Sequence, residues 1–184
     1  MSPDDPINPS RVLVIGTIDD SEDDTVDINS DWHLIKRLFN KSFASSFHYA
    51  IATVAEDGSP HVTPIGSLIL GSPGHGVYFE EFPRRLPGNL SNNRRLCVLA
   101  VNSSRWFWLT SLIRGRFPVM PALRLLGVAG EVRAATPDEM ALWQKRVRLV
   151  RFTKGHAKIW RNMRTVREVR FTGIEPVHIG EMTG

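Results

Sequence analysis

The stretch FPRRLPGNLSNN sets Arg84 and Arg85 side by side. A guanidinium pair suits a phosphate, because its planar N–H donors match phosphate oxygens in both spacing and charge. Paired arginines also occur on solvated loops without any ligand, so these residues alone leave both readings open. Upstream, His61, Val62, Thr63 and Pro64 follow the hairpin signal Asp57-Gly58 and offer backbone polar groups and a small, shaped surface to a planar ring. Glu80 and Glu81 bring negative charge close to the basic pair, while Asn89 and Asn93 either orient the loop or cap a short helical turn. Tyr49 and His61 could modulate protonation nearby; each also reads as an inward-facing aromatic or a turn-adjacent polar residue.

Other chemistry has little support. The sequence lacks a G-x-S-x-G elbow, a Walker A loop, a dinucleotide G-x-G-x-x-G, an H-E-x-x-H pair and any second cysteine. Its six histidines, at 33, 48, 61, 75, 156 and 178, have no metal-ligand spacing, so no metal site is expected. Cys97 lies between Leu96 and Val98, which favours a buried thiol and is compatible with a cytoplasmic setting. Asp57 has no carboxylate partner and belongs to the turn. No catalytic residue is assigned.

The net charge of +4 over 184 residues hides an asymmetry. Residues 1–31 hold nine acids and one arginine, so residues 32–184 carry 22 basic and ten acidic side chains. The expected organisation is a flexible acidic arm over 1–31 and one domain over 32–184. A basic body can meet an anionic cofactor, a nucleic acid or its own acidic arm. The absence of an aromatic-basic recognition module disfavours nucleic acid. No apolar run is long enough to span a bilayer, and 11–18 reads as neither an anchor nor a secretory signal, so no membrane partner is expected.

These residues must be positioned by short strands. Trp32, Ile35, Leu38 and Phe39 form the apolar stripe of a helix over 32–43, capped by Ser30 or Asp31. Two strands around Asp57-Gly58 follow, the second running from His61 to Leu70, with Pro64 restricting it to an edge, a bulge or an opening. Further strands are expected at 76–81, 95–101 and 127–135, with Gly130 allowing a bulge. The aromatic stretch 103–126 reads as a helical excursion covering a cavity or a partner subunit. Thr136-Pro137-Asp138-Glu139 signals a capping box opening a helix to about 151, buried through Met140, Trp143, Val147 and Val150. A short helix at 156–163 and a final pair of strands broken near Gly173 and Pro176 complete the chain. This order predicts a mainly β fold with peripheral helices, arranged as a small antiparallel barrel.

The ordered series YAIATVAEDGSPHVTP, GVYFEE, PRRLPGNLSNNRR and LCVLAVN resembles the pyridoxamine 5'-phosphate oxidase-like family of FMN-binding split barrels, over roughly residues 45–135. The resemblance implies a six-stranded antiparallel split β-barrel. It also implies a homodimer with FMN at the subunit interface and a small-molecule redox substrate. Carried across, the cofactor contacts fall on His61, Val62, Thr63, Pro64, Tyr78, Phe79, Arg84, Arg85 and Asn89. The expected function is therefore an FMN-dependent oxidoreductase. The alternative is a non-enzymatic protein holding flavin, deazaflavin or haem. The C-terminal GIEPVHIGEM does not reproduce the basic substrate-binding pattern of the vitamin B6 oxidases, so that reaction is not assigned.

Overall fold

The computed structural model describes residues 28–81, 84–148, 152–153 and 163–183. Its helices are α1 (Trp32–Ser46), α2 (Leu86–Asn92), α3 (Arg105–Arg114) and α4 (Pro137–Arg146). Its strands are β1 (Tyr49–Val54), β2 (Pro60–Ile65), β3 (Ile69–Leu70), β4 (His75–Phe79), β5 (Arg95–Val101), β6 (Ala122–Ala134) and β7 (Thr165–Pro176). They form one antiparallel sheet in the order β2-β1-β5-β6-β7-β4-β3, open at β2 and β3. The mainly β split barrel expected from the sequence is thus present, with seven strands among the described residues rather than six. The proposed arm over 1–31 lies almost wholly outside them, as does most of 156–163.

Alternation builds the core. Tyr49, Ile51 and Thr53 of β1 are buried on one face, as are Leu96, Val98 and Ala100 of β5, and α1 lays Trp32, Ile35, Leu38, Phe39 and Phe43 across them. Each fully buried apolar side chain of this size stabilises by about 1.5–3 kcal/mol. Trp32 also donates its indole N–H to the Gly71 carbonyl at 2.9 Å, tying the helix to the turn before β4. A smaller cluster beneath α4 joins Phe79, Trp143, Val147 and Val166.

Several boundaries differ from expectation for identifiable reasons. Helix α1 runs three residues past 43, to Ser46, where Phe47 takes a left-handed conformation and donates its N–H to the Phe43 carbonyl. Asp31 occupies the N-cap without a side-chain cap bond. The expected strand from His61 to Leu70 is two strands. At Gly66 a Cβ would lie 2.9 Å from the Phe47 carbonyl, and Ser67 turns inward to bond the Phe79 backbone. Pro64 is tolerated because β2 is an edge strand. Strand β6 begins at Ala122, five residues before the expected 127, and its register against β7 shifts between Ala129 and Val132, around Gly130. The expected final pair is one twelve-residue strand, since a second register shift absorbs the irregularity before Gly173. Helix α4 opens on the predicted capping box but ends at Arg146, with Trp143 buried and Met140 exposed; Val150 lies outside the described residues.

Two charged clusters fix the sheet. Glu80 accepts from Arg167 Nε and Nη2 at 2.6 and 2.8 Å and from the Tyr78 hydroxyl at 2.8 Å, with only 12% and 7% of the Arg167 and Glu80 side chains exposed. Burial, reinforced by the Glu80 carboxylate, pushes the Tyr78 phenol far above its usual range. Replacing Arg167 by Met should leave a buried carboxylate uncompensated and cost about 3–5 kcal/mol in urea unfolding, most of it recovered in the double variant Glu80→Gln/Arg167→Met.

At α4, Arg133 grips Glu139 at 2.7 and 2.9 Å, and this bond leads the forces that hold the Glu139 carboxyl below its usual range. A depressed carboxylate stabilises the fold above its unfolded pKa of about 4.3, and that contribution is lost as pH falls through the folded value. Glu139→Gln should therefore lower stability at neutral pH by up to about 1 kcal/mol. Its unfolding midpoint should converge on that of the parent as the solution is acidified.

Candidate functional site

The hairpin β1–β2 sets the geometry around the basic loop. Asp57 Oδ1 accepts from the Ser59 N–H at 2.9 Å and its hydroxyl at 2.5 Å, and Gly58 supplies the positive φ the turn requires. These bonds to Ser59 hold the Asp57 carboxyl below its usual range, with a smaller pull from the Arg85 charge. In register, Thr53 faces His61 and Ile51 faces Thr63.

Helix α2 is docked onto this hairpin by a single buried polar contact. Asn89 Nδ2 donates to Thr53 Oγ1 at 3.0 Å, both side chains being buried, while Leu86 and Leu90 enter the main core. The docking fixes the start of α2, where Arg85 is the N-cap residue and Arg84 precedes it, both exposed. Neither guanidinium forms an ion pair within 4 Å among the described residues.

Glu80 and Glu81 do not neutralise the pair. Glu80 is spent on Arg167 and Tyr78, and Glu81 accepts from the backbone N–H groups of Arg164 and Thr165, the latter at 2.6 Å. No acidic residue occurs between Glu81 and Glu131, so the basic loop stands in a locally positive stretch of chain.

Asn89 is thus bonded to Thr53, the register partner of His61, while Arg84 and Arg85 stand exposed at the start of the same helix. His61 and Thr63 are half-buried on one face of β2, with Thr63 Oγ1 3.4 Å from His61 Nδ1, and Val62 and Pro64 are exposed on the other. Tyr78 and Phe79 are placed differently. Tyr78 is fully buried in the main core, and Phe79 packs against Trp143 with ring centroids 5.9 Å apart while its N–H and carbonyl both bond Ser67. Asn93 caps locally, accepting the Arg95 N–H. Thr53 was not singled out by sequence reasoning; its signal was a hydroxyl on the inward face of an apolar strand, opposite His61.

The open antiparallel sheet, with a basic loop against an edge-strand hairpin, defines a split β-barrel. The family model for pyridoxamine 5'-phosphate oxidase matches residues 39–178, more than half of the chain, and the chain belongs to that family. HupZ from Group A Streptococcus superposes with a TM-score of 0.52 at 18% identity, over 83% of this chain and 98% of that one. An FMN-binding protein from Syntrophomonas wolfei subsp. wolfei gives 0.52 at 10% identity, over 81% and 89%. At such identities the likeness is one of fold. No curated protein sequence matches the chain. No helix among the described residues is long and apolar enough to cross a membrane, and no group of three or more potential metal ligands occurs among them.

The Asn89–Thr53 bond makes a specific demand. Asn89→Ala should cost about 1–3 kcal/mol by leaving the Thr53 hydroxyl buried without its donor. The double variant Asn89→Ala/Thr53→Val should be less destabilised than the sum of the single changes, as read in a denaturant double-mutant cycle.

Proposed function

We propose that the protein is an FMN-dependent oxidoreductase acting on a small organic substrate. The observation that carries this reading is the exposed pair Arg84–Arg85 at the start of α2, a helix seated on β1 by the buried Asn89–Thr53 bond, in a chain of this family. The donor set fits a phosphate monoester: two guanidiniums with no ion pair within 4 Å among the described residues can direct several N–H groups at one phosphate. When bound, the flavin supplies the electron-carrying ring.

The chain's own residues hold and orient. Arg84 and Arg85 take the phosphate, and Asn89 keeps α2 in place beneath them. His61, Val62, Thr63 and Pro64 present the edge of β2 to the ring, His61 and Thr63 through polar side chains and Val62 and Pro64 through an exposed apolar surface. Tyr78 and Phe79 act as supports, since their side chains are committed to the core. The reading further includes a homodimer in which a second copy closes the open β2 side of the cofactor cleft, and a cytoplasmic setting. Burial raises the Cys97 thiol above its ordinary pKa, which leaves it a poor thiolate nucleophile and so outside the redox chemistry.

The test uses FMN and riboflavin, which differ by the phosphate. The protein should bind FMN, by fluorescence quenching, more tightly than riboflavin. Arg84→Gln/Arg85→Gln should weaken FMN binding about 10- to 100-fold while leaving riboflavin binding nearly unchanged. Arg114→Gln/Arg116→Gln, which removes the same charge elsewhere, should leave both unchanged. Equal losses in the two double variants would remove the phosphate role.

A further inference from the structure

A cavity lies at the end of β1 away from the basic loop. This cleft of about 630 Å³ falls within the size range of small-molecule sites. Its walls are Phe39, Phe43 and Phe47 from α1 and its cap, Ile69 and Leu70 of β3, and Leu142 of α4. Thr53, which anchors the basic loop, stands four residues along β1 from Tyr49 at this end, about 13 Å at the strand rise.

The polar lining is all of one sign. Lys36, Lys145 and Arg146 line the cleft together with Asn40, and no carboxylate does. Arg146 is the best placed. Its guanidinium donates to the Leu68 carbonyl, to Asn40 Oδ1 at 3.0 Å and to the Tyr49 hydroxyl at 3.3 Å, and lies 4.4 Å from the centroid of the Phe43 ring. These contacts orient it without neutralising it, since none of its partners is charged. Among the described residues no acid pairs with any of the three cations. A half-buried cation against apolar walls, lacking a counter-ion, gains most from an anion that brings an apolar body with it.

Phe47 contributes an aromatic wall. It is the single non-glycine residue with positive φ among those described, at 62°, a conformation disfavoured for a bulky side chain. Its ring is 57% exposed and lines the cleft, packed edge-on to Phe43. The left-handed backbone is that of the α1 C-cap, and Phe47 at that position lines the cleft.

We propose that this cleft binds a free carboxylate attached to an aromatic or compact apolar body, the carboxylate paired with Arg146 and the cationic rim, the body lying on Phe39, Phe43 and Phe47. The site is separate from the Arg84–Arg85 loop and does not depend on the cofactor reading.

Three probes of one shape test it by calorimetry, with and without FMN: 1-naphthylacetic acid, its neutral amide, and 2-(1-naphthyl)ethylamine. The acid should bind saturably and about tenfold or more tighter than the amide, with the amine not binding. Ala44→Trp, at the mouth, should abolish binding. Phe47→Asn, compatible with the left-handed backbone, should weaken acid binding at least several-fold without lowering the melting temperature. Arg146→Gln should erase the preference for acid over amide; should that variant not fold, Lys36→Gln/Lys145→Gln should reduce the preference instead.

Equal affinity for acid and amide, or binding untouched by Ala44→Trp, would overturn the proposal. Acid binding that weakens as protein concentration rises would assign the cleft to a second copy. Tighter binding after replacing Asp19, Asp20, Glu22, Asp23 and Asp24 by their amides or serine would assign it to the chain's own acidic segment.

Discussion

Strand β1 must satisfy its backbone on both sides, against β2 and β5, and the rest of the molecule is arranged around that pairing. Because its side chains alternate, Tyr49, Ile51 and Thr53 are driven into the core together. The middle residue is purely apolar, and the outer two carry hydroxyls that cannot be buried without partners. Tyr49 finds the Phe39 carbonyl and Arg146, which ties α1 and α4 to one end of the strand. Thr53 finds Asn89, which ties α2 to the other. Both candidate sites are consequences of how those two hydroxyls are satisfied.

Charge is sorted by the same economy. Glu80 and Glu81 lie within five residues of Arg84 and Arg85, yet they bond toward β7, where a guanidinium and two backbone N–H groups receive them. The basic pair is thereby left exposed and without an ion pair within 4 Å among the described residues. A similar separation operates at α4, where Arg133 is occupied by Glu139 and Glu168 while Arg146, the last residue of the helix, meets only neutral acceptors and an aromatic face. Cations paired with acids hold the sheet and α4; Lys36, Lys145 and Arg146, without an acid partner among the described residues, line the cleft between α1 and α4.

Much of the fold was legible because it rests on local rules. The Asp57-Gly58 hairpin, the capping box at Thr136, the edge placement of Pro64 and the bulge at Gly130 each follow from steric or hydrogen-bonding preferences confined to a few residues. Where the reading strayed, a distant partner intervened. The return strand breaks at Gly66 because the Phe47 carbonyl crowds it, and the C-terminal pair fuses into β7 because β6 accepts a register shift there.

The sequence by itself determined the type and order of the elements, the family pattern and the identity of Arg84 and Arg85 as a candidate anion-binding pair, since periodicity, turn chemistry and motif order are written along the chain. Tertiary structure decided which charges are free and which are spent. Tyr78 and Phe79 alternate like any strand residues, and only the packing of β4 against β7 and α4 commits them to the core. Arg146 reads as an ordinary basic residue in a helical last turn until folding carries it beside Asn40, Tyr49 and Leu68, positions 78 to 106 residues away in sequence. Ion pairing and burial depend on distances in space, so whether a cation becomes a strut or a binding group is settled only when the chain has closed on itself.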